Sequence, residues 1–155
     1  MFDNCGDICN RIRSELIPDD VFQAAFASWT PARSEKEIIR YVLTQIHKHI
    51  DRTLELNLDN SEVHIEHIMP VDASKWSIAP EIHDSYLWRL GNLMLLSGPI
   101  NISISNRPFD EKKGEYLKLK IEPNKAVGQL DIWDETTIKA RQDELSTYAL
   151  KIWKV

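Results

Sequence analysis

The stretch that decides the fold is VHIEHIMP at residues 63–70, followed by LGNLMLL at residues 90–96. In the first segment β-branched and polar residues alternate and Pro70 closes the run, which predicts a short strand. In the second, the apolar run that follows Gly91 has the size of a second, buried strand. A loop rich in Asp, Ser and Pro lies between them, and a short helix is predicted over 81–89.

Helical patterns flank the two strands on both sides. Upstream, the sequence predicts helices over 8–16, over 21–29 after capping residues Asp19 and Asp20, and from Ser34 to Ile50 with a Ser34–Glu37 capping box. Downstream, it predicts helices over 100–105 and 108–119, a loop over 128–130 and a final helix capped by Asp134. We therefore predict an α+β fold, a small two-stranded core enclosed by several α-helices.

The length allows one compact domain, which we expect to be part of a longer protein. Residues 1–60 are predicted to form a helical segment that packs on the core. Residues 61–155 are predicted to form the core itself with its C-terminal helices.

Composition excludes several classes of protein. The chain has 155 residues with 19 Lys and Arg against 24 Asp and Glu, a net charge of −5, so it does not coat nucleic acid by bulk charge, although a local basic face is still allowed. No apolar run approaches the roughly 18 residues that span a bilayer, and no signal peptide opens the chain. Cys5 and Cys9 are interpreted as reduced thiols, so we expect a cytoplasmic protein without a membrane partner.

The residues with chemical potential concentrate around the first strand. Near neutral pH His67 can act as a base, because the ordinary pKa of histidine is about 6.5. The Glu66 carboxylate and an asparagine amide oxygen are hard ligands that suit Mg²⁺ or Mn²⁺. One base and one such cation are a minimal set for phosphodiester hydrolysis, in which the base activates water and the metal stabilises charge on the phosphate.

Geometry leaves alternatives open at this point. Neighbours in an ideal strand point to opposite faces, so Glu66 and His67 act together only if the strand ends or twists there. His64 and Glu66 share a face, and a metal pair formed by these two is a variant. The segment is not the zinc protease motif. Paired strand residues of this kind are often purely structural, and Asn92 after Gly91 is often only a turn residue. His47 and His49 on the upstream helix are assigned no chemistry.

The combination of motifs resembles a distinctive nuclease family. The residues that carry the resemblance are EHIMP at 66–70, LGNLMLL at 90–96, then Asn101, Asn106, Phe109 and Lys112, and a closing helix with Trp133, Ile138, Arg141, Leu145 and Ile152–Trp153. They are similar to the HNH-like (ββα-metal, or His-Me finger) domain at the C-terminus of GmrSD-type modification-dependent restriction enzymes. The resemblance covers roughly residues 34–155.

The resemblance implies a role for each matching residue. His67 matches the general base, Glu66 the acidic metal ligand that precedes it, and Asn101 the second metal-binding position. Asn92 matches the asparagine that braces the loop between the strands and so holds the histidine. Lys112 is implied to stabilise charge in the transition state. His64 takes the place of an acidic or polar residue and is a candidate for assisting the metal.

DNA contacts are predicted downstream of the second strand. From Asn101 to Lys125 the chain has six Lys and Arg against four Asp and Glu, a local excess of 6 − 4 = +2. If this segment faces the site, it would follow the phosphate backbone. The candidate contact residues are Asn106, Arg107, Lys112 and Lys113.

The resemblance, together with the base and hard ligands found above, thus implies a metal-dependent endonuclease module that nicks or cuts double-stranded DNA in a prokaryotic anti-phage restriction system. The cofactor is expected to be Mg²⁺ or Mn²⁺. The resemblance also implies an upstream NTPase-like, modification-sensing domain in the same polypeptide or complex. Met94 replaces a threonine that is common at that position in the family, a change expected to affect packing only. The alternatives are a DNA-binding or protein-docking domain that keeps the fold without turnover, and a helical interaction domain with structural histidines.

Overall fold

The computed structural model describes residues 16–51, 63–120 and 122–153. Cys5 and Cys9 lie outside the described residues, as does nearly all of the helix predicted over 8–16. Within the described ranges the elements are α1 (Asp19–Ser28), α2 (Lys36–Ile50), β1 (Val63–His67), α3 (Pro80–Tyr86), β2 (Leu93–Ser97), α4 (Gly98–Ile104), α5 (Phe109–Tyr116), α6 (Glu122–Gly128) and α7 (Glu135–Trp153). A short 3₁₀ turn over Leu90–Asn92 leads into β2. The predicted α+β class is confirmed.

The two strands form an antiparallel pair. Glu66 lies opposite Met94 and His67 lies opposite Leu93. Because side chains alternate along a strand, the two neighbours in β1 face opposite sides of the sheet. Helix α4 follows β2 directly and packs against both strands, so the order strand, strand, helix forms one local unit.

Apolar residues divide into two clusters, one on each side of this sheet. The first joins α1, α2 and α7 to the sheet, and its buried members include Phe26, Ile39, Leu43, Ile46, Leu93, Leu95 and Leu145. The second joins α4, α5 and α6 to the start of α7, and its buried members include Met69, Met94, Leu96, Ile104, Tyr116, Trp133 and Ile138. The alternation of Leu93–Leu96 between the clusters explains why this strand is apolar throughout.

Helix α7 fastens the turn before β2. The Arg141 guanidinium donates to the carbonyl oxygens of Gly91 at 2.7 Å and Leu93 at 2.8 Å. The Gln142 side chain accepts the Gly91 N–H at 2.7 Å. A Cβ on Gly91 would collide with the carbonyl oxygen of Ile138, so this close approach requires glycine.

Several local predictions change in the structure. Helix α2 begins at Lys36, and no Ser34–Glu37 capping box forms; instead the Glu35 carboxylate accepts the Ala32 N–H at 2.6 Å. Gly128 was predicted to begin a loop, but residues 122–128 form a helix. The buried Asn124 side chain donates to the carbonyl oxygen of Leu95 and anchors this helix on β2.

The predicted cap of the last helix is confirmed. The Asp134 carboxylate accepts the Thr137 N–H at 2.9 Å, and the Thr137 hydroxyl accepts the Asp134 N–H at 2.8 Å. These reciprocal bonds satisfy backbone donors that the first helical turn leaves free. Helix α7 is the longest in the described part of the chain, where no helix has the length and apolar character needed to cross a bilayer.

Candidate functional site

Asn92 ties the beginning and end of the long loop between the strands. It is fully buried, and its amide oxygen accepts the Met69 N–H at 2.8 Å and the Trp133 indole N–H at 3.0 Å. Its amide nitrogen donates to the carbonyl oxygens of Met69 and Leu87, each at 3.0 Å. All its hydrogen-bonding capacity is used inside the protein, so Asn92 acts on the site by holding the backbone that follows His67.

Glu66 lies in a buried ion pair. The Lys112 ammonium donates to Glu66 Oε1 at 2.7 Å and the Tyr116 hydroxyl donates to the same oxygen at 3.0 Å. Lys112 also donates to the backbone carbonyls of His67 at 3.0 Å and Ile68 at 3.2 Å. Burial raises the pKa of Glu66 and lowers the pKa of Lys112, in each case against the pull of the partner's charge.

The prediction that Lys112 contacts DNA is therefore wrong. The side chain has no exposed surface, and its three hydrogen bonds use the whole donor capacity of an ammonium group. Helix α5 buries it beneath the end of β1, where it fixes both the carboxylate of Glu66 and the backbone of the candidate base. The ammonium group of Lys112 is thus directed into the protein, toward Glu66 and the backbone at the end of β1.

His67 is half-buried and faces the other side of the sheet. Its ring meets the Trp88 ring edge-on, with centroids 4.6 Å apart. The Nε2 atom is buried and makes no hydrogen bond to any described group. Burial, followed by the charges of Lys112 and Lys36, lowers the pKa of His67 to about 4. The imidazole is therefore neutral at physiological pH and able to accept a proton.

Two cavities meet at His67. The first, which we call the basic cleft, has a volume of about 450 Å³ and includes Arg33, Lys36, Glu37, Arg40, His64, His67, Trp88 and Asn101 in its lining. The second, which we call the polar pocket, has a similar volume of about 450 Å³ and includes Glu66, His67, Asp72, Asn101, Ser105 and Asn106. Of the predicted base and ligands, His67 and Asn101 line both cavities.

The polar pocket contains both residues predicted to bind a divalent cation through oxygen atoms. Glu66 and Asn101 both line it, and the Asn101 side chain makes no hydrogen bond within the described ranges. Lys112 and Tyr116 both donate to Glu66 Oε1, so neither side chain bonds Glu66 Oε2. One carboxylate and one amide fit Mg²⁺ or Mn²⁺, which keep several waters and bind substrate phosphate.

The third predicted ligand does not share this pocket. His64 lines the basic cleft, whereas Glu66 lines the polar pocket, so the structure does not bring the His64–Glu66 metal pair into one cavity. Among the residues that the structure describes, no three His, Cys, Asp or Glu side chains converge as a metal-binding group. A zinc-type site built from such side chains is therefore absent from the described part.

The predicted DNA-contact residues lie at different kinds of position. Asn106 lines the polar pocket and donates to the Asp72 carboxylate at 2.7 Å. Arg107 forms a 4.0 Å ion pair with Glu111, and Lys113 forms a 3.4 Å ion pair with Asp110. Neither basic residue lines the two cavities described above. Their charges are largely balanced by acids on α5.

The residues that sequence reasoning missed come from the start of α2. Arg33, Lys36 and Arg40 line the basic cleft, and the first two are close enough to His67 to lower its pKa. Their spacing of three and four residues, which places side chains on one helical face, was a usable signal. Tyr116 and Trp133 were also missed as partners of Glu66 and Asn92, because nothing local links residues that distant in the chain.

Comparison with known proteins identifies the family of the chain. A comparison with curated proteins gave no significant match. The family model described as "GmrSD restriction endonucleases, C-terminal domain" matches residues 16–148, which is most of the chain and includes both strands, the bracing asparagine and both cavities. The chain therefore belongs to the family of C-terminal domains of GmrSD restriction endonucleases.

Proposed function

We propose that this restriction-endonuclease-related domain hydrolyses phosphodiester bonds in double-stranded DNA, as a metal-dependent HNH-type endonuclease. The observation that carries the proposal is the position of His67, whose half-buried neutral imidazole lines both cavities. A buried polar atom without a partner, such as its Nε2, is uncommon in folded proteins and calls for a functional explanation. The family membership supplies independent support.

His67 is proposed as the general base. Its neutral form at physiological pH is the one that accepts a proton from the attacking water. The edge-on contact with Trp88 and the Lys112 hydrogen bond to the His67 carbonyl hold the ring and its backbone. Asn92 holds the backbone that follows, so the imidazole has little freedom to turn away from the cavities.

Glu66 and Asn101 are the residues proposed to hold a divalent cation. When bound, Mg²⁺ or Mn²⁺ would stabilise negative charge on the phosphate and on the leaving oxygen. The Lys112 and Tyr116 contacts to Oε1 keep the carboxylate in one orientation toward the polar pocket. His64 lines the neighbouring cleft, where its ring would contact substrate instead of the cation.

The experiment is a cleavage assay on supercoiled plasmid with Mg²⁺ or Mn²⁺, and with EDTA as the metal-free control. The parent chain should give nicked or linear DNA, and His67→Ala should lose this product while it still binds DNA. His49→Ala, an exposed position on α2, is the matched control and should cut normally. Cutting by His67→Ala at the parental rate would remove His67 from the mechanism.

Asn101→Ala tests the cation site separately. Because the side chain makes no hydrogen bond in the described ranges, its loss should leave the free energy of unfolding nearly unchanged. The concentration of Mg²⁺ or Mn²⁺ needed for half-maximal cleavage should rise. An unchanged metal requirement would argue against Asn101 as a ligand.

A second function is favoured by the Glu66–Lys112 ion pair. The Glu66 carboxylate is already neutralised by the buried Lys112, which makes it a poorer cation ligand. A weak cation site is expected of a DNA-binding or docking domain without turnover. DNA binding by the parent chain without any metal-dependent cleavage would support this alternative. In either case, because the family is defined as a C-terminal domain, we propose that an upstream NTPase-like, modification-sensing part selects the target.

A further inference from the structure

We propose that Arg33, Lys36 and Arg40 form a phosphate-binding face that holds the DNA backbone against the basic cleft beside His67. This inference rests on the proposed function, because it assigns the surface through which that site receives its substrate. It differs from the sequence prediction, which placed the DNA contacts on the segment after β2. The ligand class is the sugar-phosphate backbone of a duplex, read without regard to sequence.

The first argument is the charge balance of the cleft. Three basic side chains line it, and among the residues that the structure describes Glu37 is the only acidic one in its lining. This gives a local charge of 3 − 1 = +2 in a chain whose net charge is −5. A concave surface lined by one sign of charge raises the local concentration of oppositely charged ligands. The cleft is therefore suited to an anion, although the molecule as a whole is acidic.

The second argument is that these cations have no acidic partner in the part of the chain that the structure describes. Within the described ranges, Arg33, Lys36 and Arg40 make no ion pair, whereas Arg107, Lys113, Lys118, Lys125 and Lys139 each pair with an acid on a nearby turn. Surface lysines that already have an acidic neighbour contribute little to binding an external phosphate. The three unpaired side chains at the cleft keep their full charge for a ligand.

The third argument is their position relative to the candidate base. Lys36 and Arg40 are four residues apart, so they lie on one side of α2, and Arg33 precedes the helix by less than one turn. Arg33, Lys36 and Arg40 line the same cleft as the His67 imidazole. A phosphate held by these side chains would therefore lie beside the base. The cleft shares His67 and Asn101 with the polar pocket.

The test is DNA binding by the triple variant Arg33→Gln/Lys36→Gln/Arg40→Gln. Binding to a short fluorescent duplex is followed by anisotropy in EDTA, which prevents cleavage, at several salt concentrations. The matched control is Lys118→Gln/Lys125→Gln/Lys139→Gln, which removes the same formal charge from ion-paired surface positions. The conservative variant Arg33→Lys/Arg40→Lys should keep most of the parental affinity, because both positive charges remain.

We expect the triple variant to bind about tenfold or more weakly at moderate salt. The slope of log K against log salt should fall by about 0.9 for each phosphate contact that is lost. The control variant should keep a slope close to that of the parent. Parental affinity and slope in the triple variant, or losses that match those of the control, would overturn the proposal.

The result is separable from the outcome of the cleavage assay. A parent that binds DNA through these residues but does not cut would support the phosphate-binding face and contradict the nuclease function. A parent that cuts, together with a triple variant that binds and cuts normally, would support the nuclease function and overturn the phosphate-binding face. Because two of the three side chains are exposed and none is paired, urea unfolding should give similar stabilities for all variants.

Discussion

At the scale of single residues, the decisive feature is how a buried lysine organises the end of β1. Lys112 bonds the Glu66 carboxylate and two backbone carbonyls, those of His67 and Ile68. A buried ion pair adds little net stability, because removing both charges from water costs about as much as their attraction returns. Its effect is positional: at the end of β1 it fixes the carboxylate of the candidate metal ligand and the backbone of the candidate base, and both residues line the polar pocket.

This arrangement predicts an asymmetric response to mutation. Lys112→Met leaves the Glu66 carboxylate buried and without its cation, which should lower the free energy of unfolding by about 3–5 kcal/mol. Glu66→Gln/Lys112→Met removes both charges and should recover a large part of that loss, since a glutamine oxygen can still accept the Tyr116 hydroxyl. Urea unfolding measures both variants. Equal losses in the single and double variants would mean that the pair is not energetically coupled.

The pair also makes a functional prediction separate from stability. Where the double variant folds, it should still bind duplex DNA, because neither buried side chain belongs to the basic cleft. Cleavage should be lost with the Glu66 carboxylate. Full cleavage by the double variant would contradict the role that we propose for Glu66.

At the scale of elements, the contact between α7 and the turn before β2 positions the strand. Arg141 and Gln142 satisfy the backbone groups around Gly91, and Trp133, just before the helix, bonds Asn92. Burial lowers the pKa of Arg141 to about 10, so the guanidinium remains charged at neutral pH. The last helix of the chain thus holds the loop that carries the bracing asparagine.

Two glycine substitutions test this contact. Gly91→Ala should destabilise the fold by about 2 kcal/mol or more, because the added methyl group would collide with the backbone of α7 at Ile138. Gly114→Ala, in the exposed face of α5 with open space around its Cβ position, should stabilise the fold by about 0.4–1 kcal/mol. Thermal unfolding of both variants is the measurement. A neutral Gly91→Ala would show that α7 can move away from the turn.

At the scale of the whole molecule, one buried and one half-buried histidine make stability depend on pH. His47 is 1 % exposed and lies between α2 and α7; burial, and then the charge of Arg141, lowers its pKa to about 4. The pKa of His67 is lowered to a similar value of about 4. Below the ordinary histidine pKa of about 6.5, the unfolded chain binds protons that the folded chain does not. Each histidine therefore favours unfolding as the pH falls from about 6.5 toward 4.

His47→Leu isolates one of these contributions. The His47 side chain makes no hydrogen bond within the described ranges, so an apolar replacement should be neutral or stabilising at pH 7. Between pH 6 and pH 4.5 the parent should lose about 1.4 kcal/mol more per pH unit than the variant. Urea unfolding across this range gives both slopes, with exposed His49→Gln as the control. Parallel slopes for the parent and His47→Leu would show that His47 is protonated in the folded state.

The sequence by itself determined the elements around the site. Alternation in residues 63–67 and the apolar run from Leu93 to Leu96 predict the two strands, and Pro70 and Gly91 mark where they end or begin. Candidate residues His67, Glu66 and Asn101 follow from the same local motifs, and the structure brings them to adjoining cavities. Such features are encoded by neighbours in the chain, so local patterns suffice to find them.

Only the tertiary structure decided which charges are buried and which face the cleft. The sequence predicts that Lys112 is a surface cation in a basic segment. Packing of α5 beneath β1 instead pairs it with Glu66, which is 46 residues away in the chain. Arg33, Lys36 and Arg40 lie in an ordinary helical sequence, and packing of α2 beside the sheet turns them toward His67. Burial and charge pairing depend on contacts between distant segments, and composition and periodicity carry no information about those contacts.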